Sequence, residues 1–465
     1  MTNARTFKLG PLPWLAATAL FMQMLDSSVL NTALPAIANS FGENPLQLHI
    51  IIVSYLLAVA IFLPASGWAC DKFGIRNSFL FAITMFTFGS LLCALSTSVL
   101  TLSVSRIIQG IGGAFLVPVG RLAVLKSTPR EHFADVLSFM VLPALIGPLV
   151  GPTVGGFLVE YLSWHWIFLI NIPVGAVCFI ATLYLMQNTT SENPAKFDFK
   201  GFLLVDIAIL SLYAVSFSQN IIGNFSNAWF IAIAIFFIVL YYFYAKHKHH
   251  AVFNLAMFKI RSFAVGICGN LFVRLVGGAL PFIAPLFFQT ALGFSPSKSG
   301  MMMLPMGITA MFAKTFAAPL ISNMGYRKFL MSNTIFLSLL IILAGFIKFT
   351  TPLWLIITIY SFIGMANSLQ FTAINTLSLI DVPDKYMSGA NNLLSVILQV
   401  AISLGIALAA FLLAQTGSIS FVAKQKNILL AVFNMTYIAM GIISLAGLLL
   451  FLFIPKDAGT KIKSI

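Results

Sequence analysis

Residues 67–80 read GWACDKFGIRNSFL, and residues 318–331 read APLISNMGYRKFLM. Gly74 and Arg76 in the first stretch align with Gly325 and Arg327 in the second at a constant spacing of 251 residues. Asp71 aligns with Ser322, and Gly67 with Ala318. Each stretch follows the second long apolar segment of a block of six. A degenerate repeat placed alike in two blocks marks a chain of two parallel halves, with a site between them near the bilayer midplane.

The blocks come from composition. The chain of 465 residues is 60% hydrophobic and 8% charged, with mean hydropathy +0.99, whereas soluble domains carry about 25% charged residues. Most of it therefore meets lipid or lipid-buried protein. A membrane-crossing helix needs about 20 mostly apolar residues. That rule predicts crossings at 13–39, 48–69, 77–97, 101–124, 134–158, 164–187, 201–219, 227–245, 263–290, 297–322, 329–347, 353–379, 387–414 and 429–454, fourteen in all. The polar breaks 188–200 (NTTSENPAKFDFK) and 246–261 (KHKHHAVFNLAMFKIR) set the seventh and eighth apart. The expected architecture is an all-α integral membrane protein. A six-helix bundle spans 1–187, two linker helices with flanking loops span 188–261, and a second six-helix bundle spans 262–465.

The net charge of +14 reports topology rather than an acidic partner such as nucleic acid. With the N-terminus inside, nineteen of the 26 Lys and Arg fall in cytoplasmic segments. Only Lys298, Lys348, Lys424 and Lys426 lie outside, and Arg106, Arg274 and Lys314 lie within helices. By the positive-inside rule both termini are expected in the cytoplasm. The first apolar stretch is too long for a cleavable signal and carries Asp26. Cys70, Cys93, Cys178 and Cys268 form no CxxC pair and read as small packing residues.

The first predicted helix contains LDSSVLNTALP (25–35), with a full charge at Asp26. A carboxylate at a helix centre costs about 2.5–3.5 kcal/mol on insertion scales, and intramembrane ionisable residues are functional candidates by default. Asp26 reads as a proton site, because burial raises a carboxyl pKa and a nearby cation lowers it. The alternative is a polar residue bonded to a neighbouring helix. Arg106 must be paired or wetted and is the natural partner, with Gln109 one turn away able to share either role. Gly147, Gly151 and Gly155 recur every four residues beside Pro148, Pro152 and Gly156, leaving one helix face almost without side chains. That permits close helix approach, and the prolines bend the helix.

At five places the N-half is similar to one family. GWACDKFGIR resembles the GxLaDrxGrr loop of the major facilitator superfamily, SRIIQGIGGA (105–114) its fourth-helix motif, and GPLVGPTVGG (147–156) its antiporter motif. LDSSVLNTALP and SWHWIFLINIPVG (163–175) resemble the lDxTvvNvALP and WRWiFliNvPiG motifs of the fourteen-helix drug:proton antiporter branch, and LGFSPSKSGMMMLP (292–305) also fits. The resemblance implies the major facilitator fold and proton-coupled efflux of small molecules by alternating access. It puts helix 4, with Arg106, beside helix 1. It also implies that the glycine face seals against the second helix of the C-half, and that Gly67, Asp71, Lys72, Gly74, Arg76 and Arg130 form a cytoplasmic latch. A solvated topogenic loop and generic tight packing are the plainer alternatives.

The expected substrate cavity is lined by Gln23, Asn31, Gln109, Arg274, Gln289, Lys314, Asn375, Asn391, Asn392 and Gln399. Three buried cations facing little acid point to a neutral, zwitterionic or anionic substrate rather than a dication. An organic-anion or metal-chelate exporter, or a facilitator without proton coupling, stays open. No enzyme motif is present (no HExxH, GxSxG or P-loop). No cofactor or bound metal is expected. The partners are protons, a small-molecule substrate and the bilayer, with a monomer in the bacterial inner membrane as the working unit. KHKHH (246–250) reads as a cytoplasmic helix end rather than a metal site, and His165 as an interfacial residue between Trp164 and Trp166.

Overall fold

The computed structural model describes residues 10–191, 196–217, 227–248, 251–423 and 426–455. The N-half comprises α1 (Pro11–Phe41), α2 (His49–Phe62), α3 (Ala65–Phe73), α4 (Ile75–Ala94), α5 (Val99–Ser127), α6 (Phe133–Tyr161), α7 (Trp166–Leu169) and α8 (Asn171–Leu185). The linker pair is α9 (Phe199–Phe217) and α10 (Asn227–Lys246). The C-half comprises α11 (Arg261–Gly277), α12 (Leu280–Leu286), α13 (Pro296–Met324), α14 (Tyr326–Ala344), α15 (Leu353–Leu379), α16 (Asp384–Ala423), α17 (Lys426–Ala446) and α18 (Leu448–Phe451).

Breaks inside predicted segments have local causes. The second segment bends by 56° between α2 and α3, where Pro64 removes a backbone donor. The sixth divides into α7 and α8 just before Pro173, which cannot bond back to Leu169. The segment at 263–290 breaks at Gly277–Gly278 and ends in a π turn, Phe287–Ala291. Among the described residues, eleven helices are long and apolar enough to cross a membrane, or twelve with the bent pair counted as one. The sequence predicts fourteen. Of the two other predicted segments, α1 carries Gln23, Asp26 and Asn31, which lower its hydropathy, and the described side chains of α9 end at Val215, too short a stretch to count.

Within the N-half, α1 packs on α5, α6 and α8, and α4 on α5 and α8. In the C-half, α15 packs on α11, α13 and α14, and α16 on α11. The halves meet through α6 with α13, α2 with α16 and α1 with α12. Large apolar side chains on the periphery, such as Trp229, Ile235, Phe236 and Phe243 of α10, are exposed, as lipid contact requires.

The linker is tied down at its ends. Asp198 accepts hydrogen bonds from Lys248 Nζ (2.6 Å), Tyr244 Oη (2.5 Å), Gly201 N (3.2 Å) and Val252 N (3.2 Å). Burial opposes its charge, but the Lys248 and Tyr244 bonds outweigh that and hold the carboxyl below its ordinary pKa. The preceding segment lies on the α3–α4 turn. Ser191 N donates to Asp71 O (3.0 Å), and Asn188 donates to Phe73 O and accepts from Asn77 N, both at 3.3 Å. Gly74, at φ +90°, is needed twice over: a Cβ there would lie 2.0 Å from Asn188 Oδ1.

Candidate functional site

The glycines of SRIIQGIGGA set the site by letting α5 sink against its neighbours. A Cβ on Gly110 would lie 2.7 Å from Tyr55 O, and one on Gly112 2.4 Å from Phe86 N. Across the α4 contact, a Cβ on Gly89 would lie 2.5 Å from Gln109 N. This close approach brings Arg106 and Gln109 to the level of Asp26 on α1.

Arg106 Nη1 donates to Asp26 Oδ2 at 2.6 Å, and both side chains are 1% exposed. The contact expected between them is therefore present. Asp26 Oδ1 accepts from Gln109 Nε2 and from Asn171 Nδ2, each at 2.8 Å. Ser90 Oγ accepts from the same two amides at 2.6 and 3.1 Å. Arg106 Nη1 also donates to Gln109 Oε1 at 2.5 Å. The guanidinium lies over the Tyr55 ring, 4.3 Å from its centroid, a favourable use of the ring quadrupole. The carboxylate thus holds a guanidinium and two amide donors in a water-excluded pocket, where each bond is stronger than in water.

Gln109 does not line a cavity as expected. It is fully buried and belongs to this cluster. Asn171 and Ser90 do not stand out in the sequence. The signal for Asn171 lies in NIP, since Pro173 breaks the helix and leaves Asn171 at the first turn of α8, turned inward. Replacing Asn171 by Leu removes a donor to a buried carboxylate. The expected loss is about 1–3 kcal/mol of stability, read as a lower thermal unfolding midpoint in detergent.

The glycine face of α6 divides its contacts, which corrects the expectation that it seals only against the C-half. The row Gly147, Gly151, Gly155 seats α1: added Cβ atoms would meet Met24 Cβ at 2.8 Å, Ser28 Oγ at 1.8 Å and Val29 O at 2.6 Å. The adjacent row seats α13. A Cβ on Gly156 would lie 2.3 Å from Pro296 O, and one on Gly300 2.3 Å from Pro152 O. Pro148 is exposed. Two hydrogen bonds cross the same seam, Thr153 Oγ1 to Gly300 O (3.1 Å) and Ser297 N to Glu160 Oε2 (2.9 Å), and a third, Gln289 Nε2 to Thr32 O (2.9 Å), joins the halves at α1. Gln289, expected in the substrate cavity, is thus a contact between halves.

The seam runs from Glu160 and Pro296 to Leu149 and Gly307. Beyond Gly307 the buried residues of α13 are Ala313 and Ala317, which pack with α15 residues of their own half. The halves are joined at one end and apart at the other, the end bearing the α3–α4 turn. There Asp71 and Gly67 are exposed, Lys72 Nζ lies 4.9 Å over the Trp68 ring, and among the described residues Asp71 has no ion pair. No ion pair joins it to Arg76. The Arg130 side chain lies outside the described residues.

The other cavity candidates are dispersed. Gln23 and Asn31 are buried on α1; Asn375, Asn391, Asn392 and Gln399 are half-buried on α15 and α16. Arg274 stacks on Phe371, 3.3 Å from the ring centroid. His165 stacks on Trp164 at 3.8 Å; Trp164 is buried and Trp166 exposed. His249 and His250 of KHKHH lie outside the described residues.

Two bundles, a broken second helix and a buried acid–base pair between helices 1 and 4 define a membrane transporter. The model of the Major Facilitator Superfamily matches residues 16–281 and 266–464, and the chain belongs to that family. It is 43% identical over 446 residues to the "Putative multidrug resistance protein MdtD" of Pectobacterium atrosepticum, covering 96% of this chain and 95% of that one. The protein of the same name in Escherichia coli is 43% identical over 450 residues, covering 96% and 94%. Among solved structures, a POT family transporter in complex with 5-aminolevulinic acid superposes with TM-score 0.73 at 12% identity, over 97% of both chains. A D-xylose-proton symporter superposes with TM-score 0.67 at 16% identity, over 96% of this chain and 98% of that one.

Proposed function

We propose that this transporter exports small molecules across the bacterial inner membrane in exchange for protons, with Asp26 as the proton carrier. The observation that carries the reading is the buried Asp26–Arg106 contact. Asp26 is the one carboxylate placed mid-helix in either bundle. Protonating it removes the anion that neutralises Arg106, and disturbing one member of a buried pair costs about 3–5 kcal/mol. The driving force is of that size. One pH unit supplies about 1.4 kcal/mol, and 100 mV about 2.3 kcal/mol per charge. Their sum corresponds to several hundred-fold accumulation of a neutral substrate.

The charge distribution supports fourteen crossings with both termini in the cytoplasm. The α3–α4 turn is then cytoplasmic, and the conformation described is closed outside and open inside. Asp71, without an ion pair among the described residues, accords with a latch that forms only when that end shuts. The cations Arg274 and Lys314 favour a neutral, zwitterionic or anionic substrate over a dication. A monomer suffices for this cycle, and no cofactor enters it. The test is efflux from proteoliposomes under an imposed pH gradient, screened over organic acids and neutral and cationic drugs. Proton-coupled export of some of these compounds is expected. Transport of every compound at a rate independent of the gradient would refute the coupling, and export confined to dications would refute the charge preference.

A further inference from the structure

We propose that Arg274 and Lys314 form a subsite for a doubly charged organic anion, typified by a dicarboxylate, on the C-half wall of the substrate path. The inference rests on the reading of the chain as a transporter whose substrate passes between the halves. Its geometry is separate from the Asp26 cluster.

Three observations carry it. First, the two cations share one level of the bilayer. Ser368 Oγ donates to Ala310 O at 2.6 Å, and Gly364 packs on the backbone of Met306. This register places Lys314, one turn after Ala310, beside Phe371, over whose ring Arg274 lies. Second, among the described residues neither cation is neutralised. From Arg261 to Pro455 the sequence holds only Asp381 and Asp384, both at the α15–α16 turn. Neither cation forms an ion pair among the described residues. Arg274 Nε is buried without a hydrogen-bond partner, and so is Asn375 Oδ1 one turn beyond Phe371. Asp26 cannot serve, because Arg106 already holds it. Third, Lys314 falls seven residues after Gly307, itself seven after Gly300, so all three lie on the α13 row that faces α6. The first two are in the closed seam. Lys314 is one step past it, where the halves part.

An Arg keeps its proton inside proteins, and its fork binds carboxylates through two parallel N–H···O bonds. With one guanidinium face on Phe371, the edge bearing Nε is left for a ligand. A flexible ammonium at the same level supplies the second contact. Such a pair fits a dianion and disfavours a cation of any size.

The test uses the purified full chain in detergent, with glutarate as dianionic probe and glutaramide as its neutral analogue. Glutarate should raise the thermal unfolding midpoint with a saturable dose dependence, and glutaramide should not. Arg274→Gln and Lys314→Gln should each weaken the apparent Kd at least about tenfold, and Arg274→Lys should fall between. Midpoints without ligand show whether each variant is folded, and Lys314, half-buried, is the safer one. Asp26→Asn should leave the glutarate Kd within about threefold, given that sites without shared partners act independently. Lost coupling with retained glutarate binding would therefore bear on the proton site alone. Equal stabilisation by sulfate, or no stabilisation by glutarate, would overturn the proposal. So would an Arg274-dependent rise caused by phosphatidylglycerol in nanodiscs with no response to glutarate, since a lipid headgroup would then be the occupant.

Discussion

Asp26→Asn is expected to lower pH-driven transport at least about a hundredfold while substrate binding survives. The Asn side chain keeps an oxygen where Gln109 and Asn171 donate, so the pocket retains its shape. It can neither take up nor give up a proton at any relevant pH, so Arg106 stays without its anion and the alternation that couples the proton to transport is lost. The same change leaves the Arg106 guanidinium buried without its anion, which costs about 3–5 kcal/mol and should lower the unfolding midpoint. The double variant Asp26→Asn with Arg106→Gln separates the effects. Removing both charges is often neutral for stability, so the midpoint should recover while transport stays lost. Proteoliposome efflux under an imposed pH gradient and thermal unfolding measure the two readouts. An Asp26→Asn protein that still concentrates substrate against its gradient would end the proton-carrier reading.

What could be read from sequence follows from how each feature is encoded. Asp26 and Arg106 stand out because charges are costly in apolar helices, and their meeting depends only on helices 1 and 4 being neighbours. Asn171 is equally buried, but a lone Asn near a helix end has many ordinary uses, and only the break at Pro173 turns it inward. The glycine face of α6 is visible as a period of four. Its partners are not, because adjacent rows on one helix lie about 100° apart and can serve two helices at once. Gln289 looks like a ligand for substrate, yet the π turn that carries it aims it at the Thr32 carbonyl, and nothing in FFQT announces that turn. The crossing count suffers from the opposite effect. The polar residues that make α1 a candidate for the proton site also lower its hydropathy.

The division of the α6 face predicts opposite failures for two similar substitutions. In Gly300→Leu, the new Cβ would lie 2.3 Å from Pro152 O and 2.8 Å from Pro152 C. Both atoms are backbone, so the helices must separate. The contact joins the halves, and each half keeps its own core. The cost, about 1–3 kcal/mol for forced overpacking, falls on the conformation in which this seam is closed and shifts its population about five- to 150-fold. A cysteine at Thr153, in a background with the exposed Cys268 replaced, should become reactive to an impermeant maleimide added outside. The unfolding midpoint should change little, and transport should fall. In Gly151→Leu, the new Cβ would lie 1.8 Å from Ser28 Oγ and 3.3 Å from Val29 N, within one bundle. That strain is present in every conformation. The midpoint should fall and the Thr153 reporter should stay protected in whatever protein folds. Should the two variants behave alike in both assays, α6 would be a uniform packing helix, and the seam with α13 would not be the moving part of the cycle.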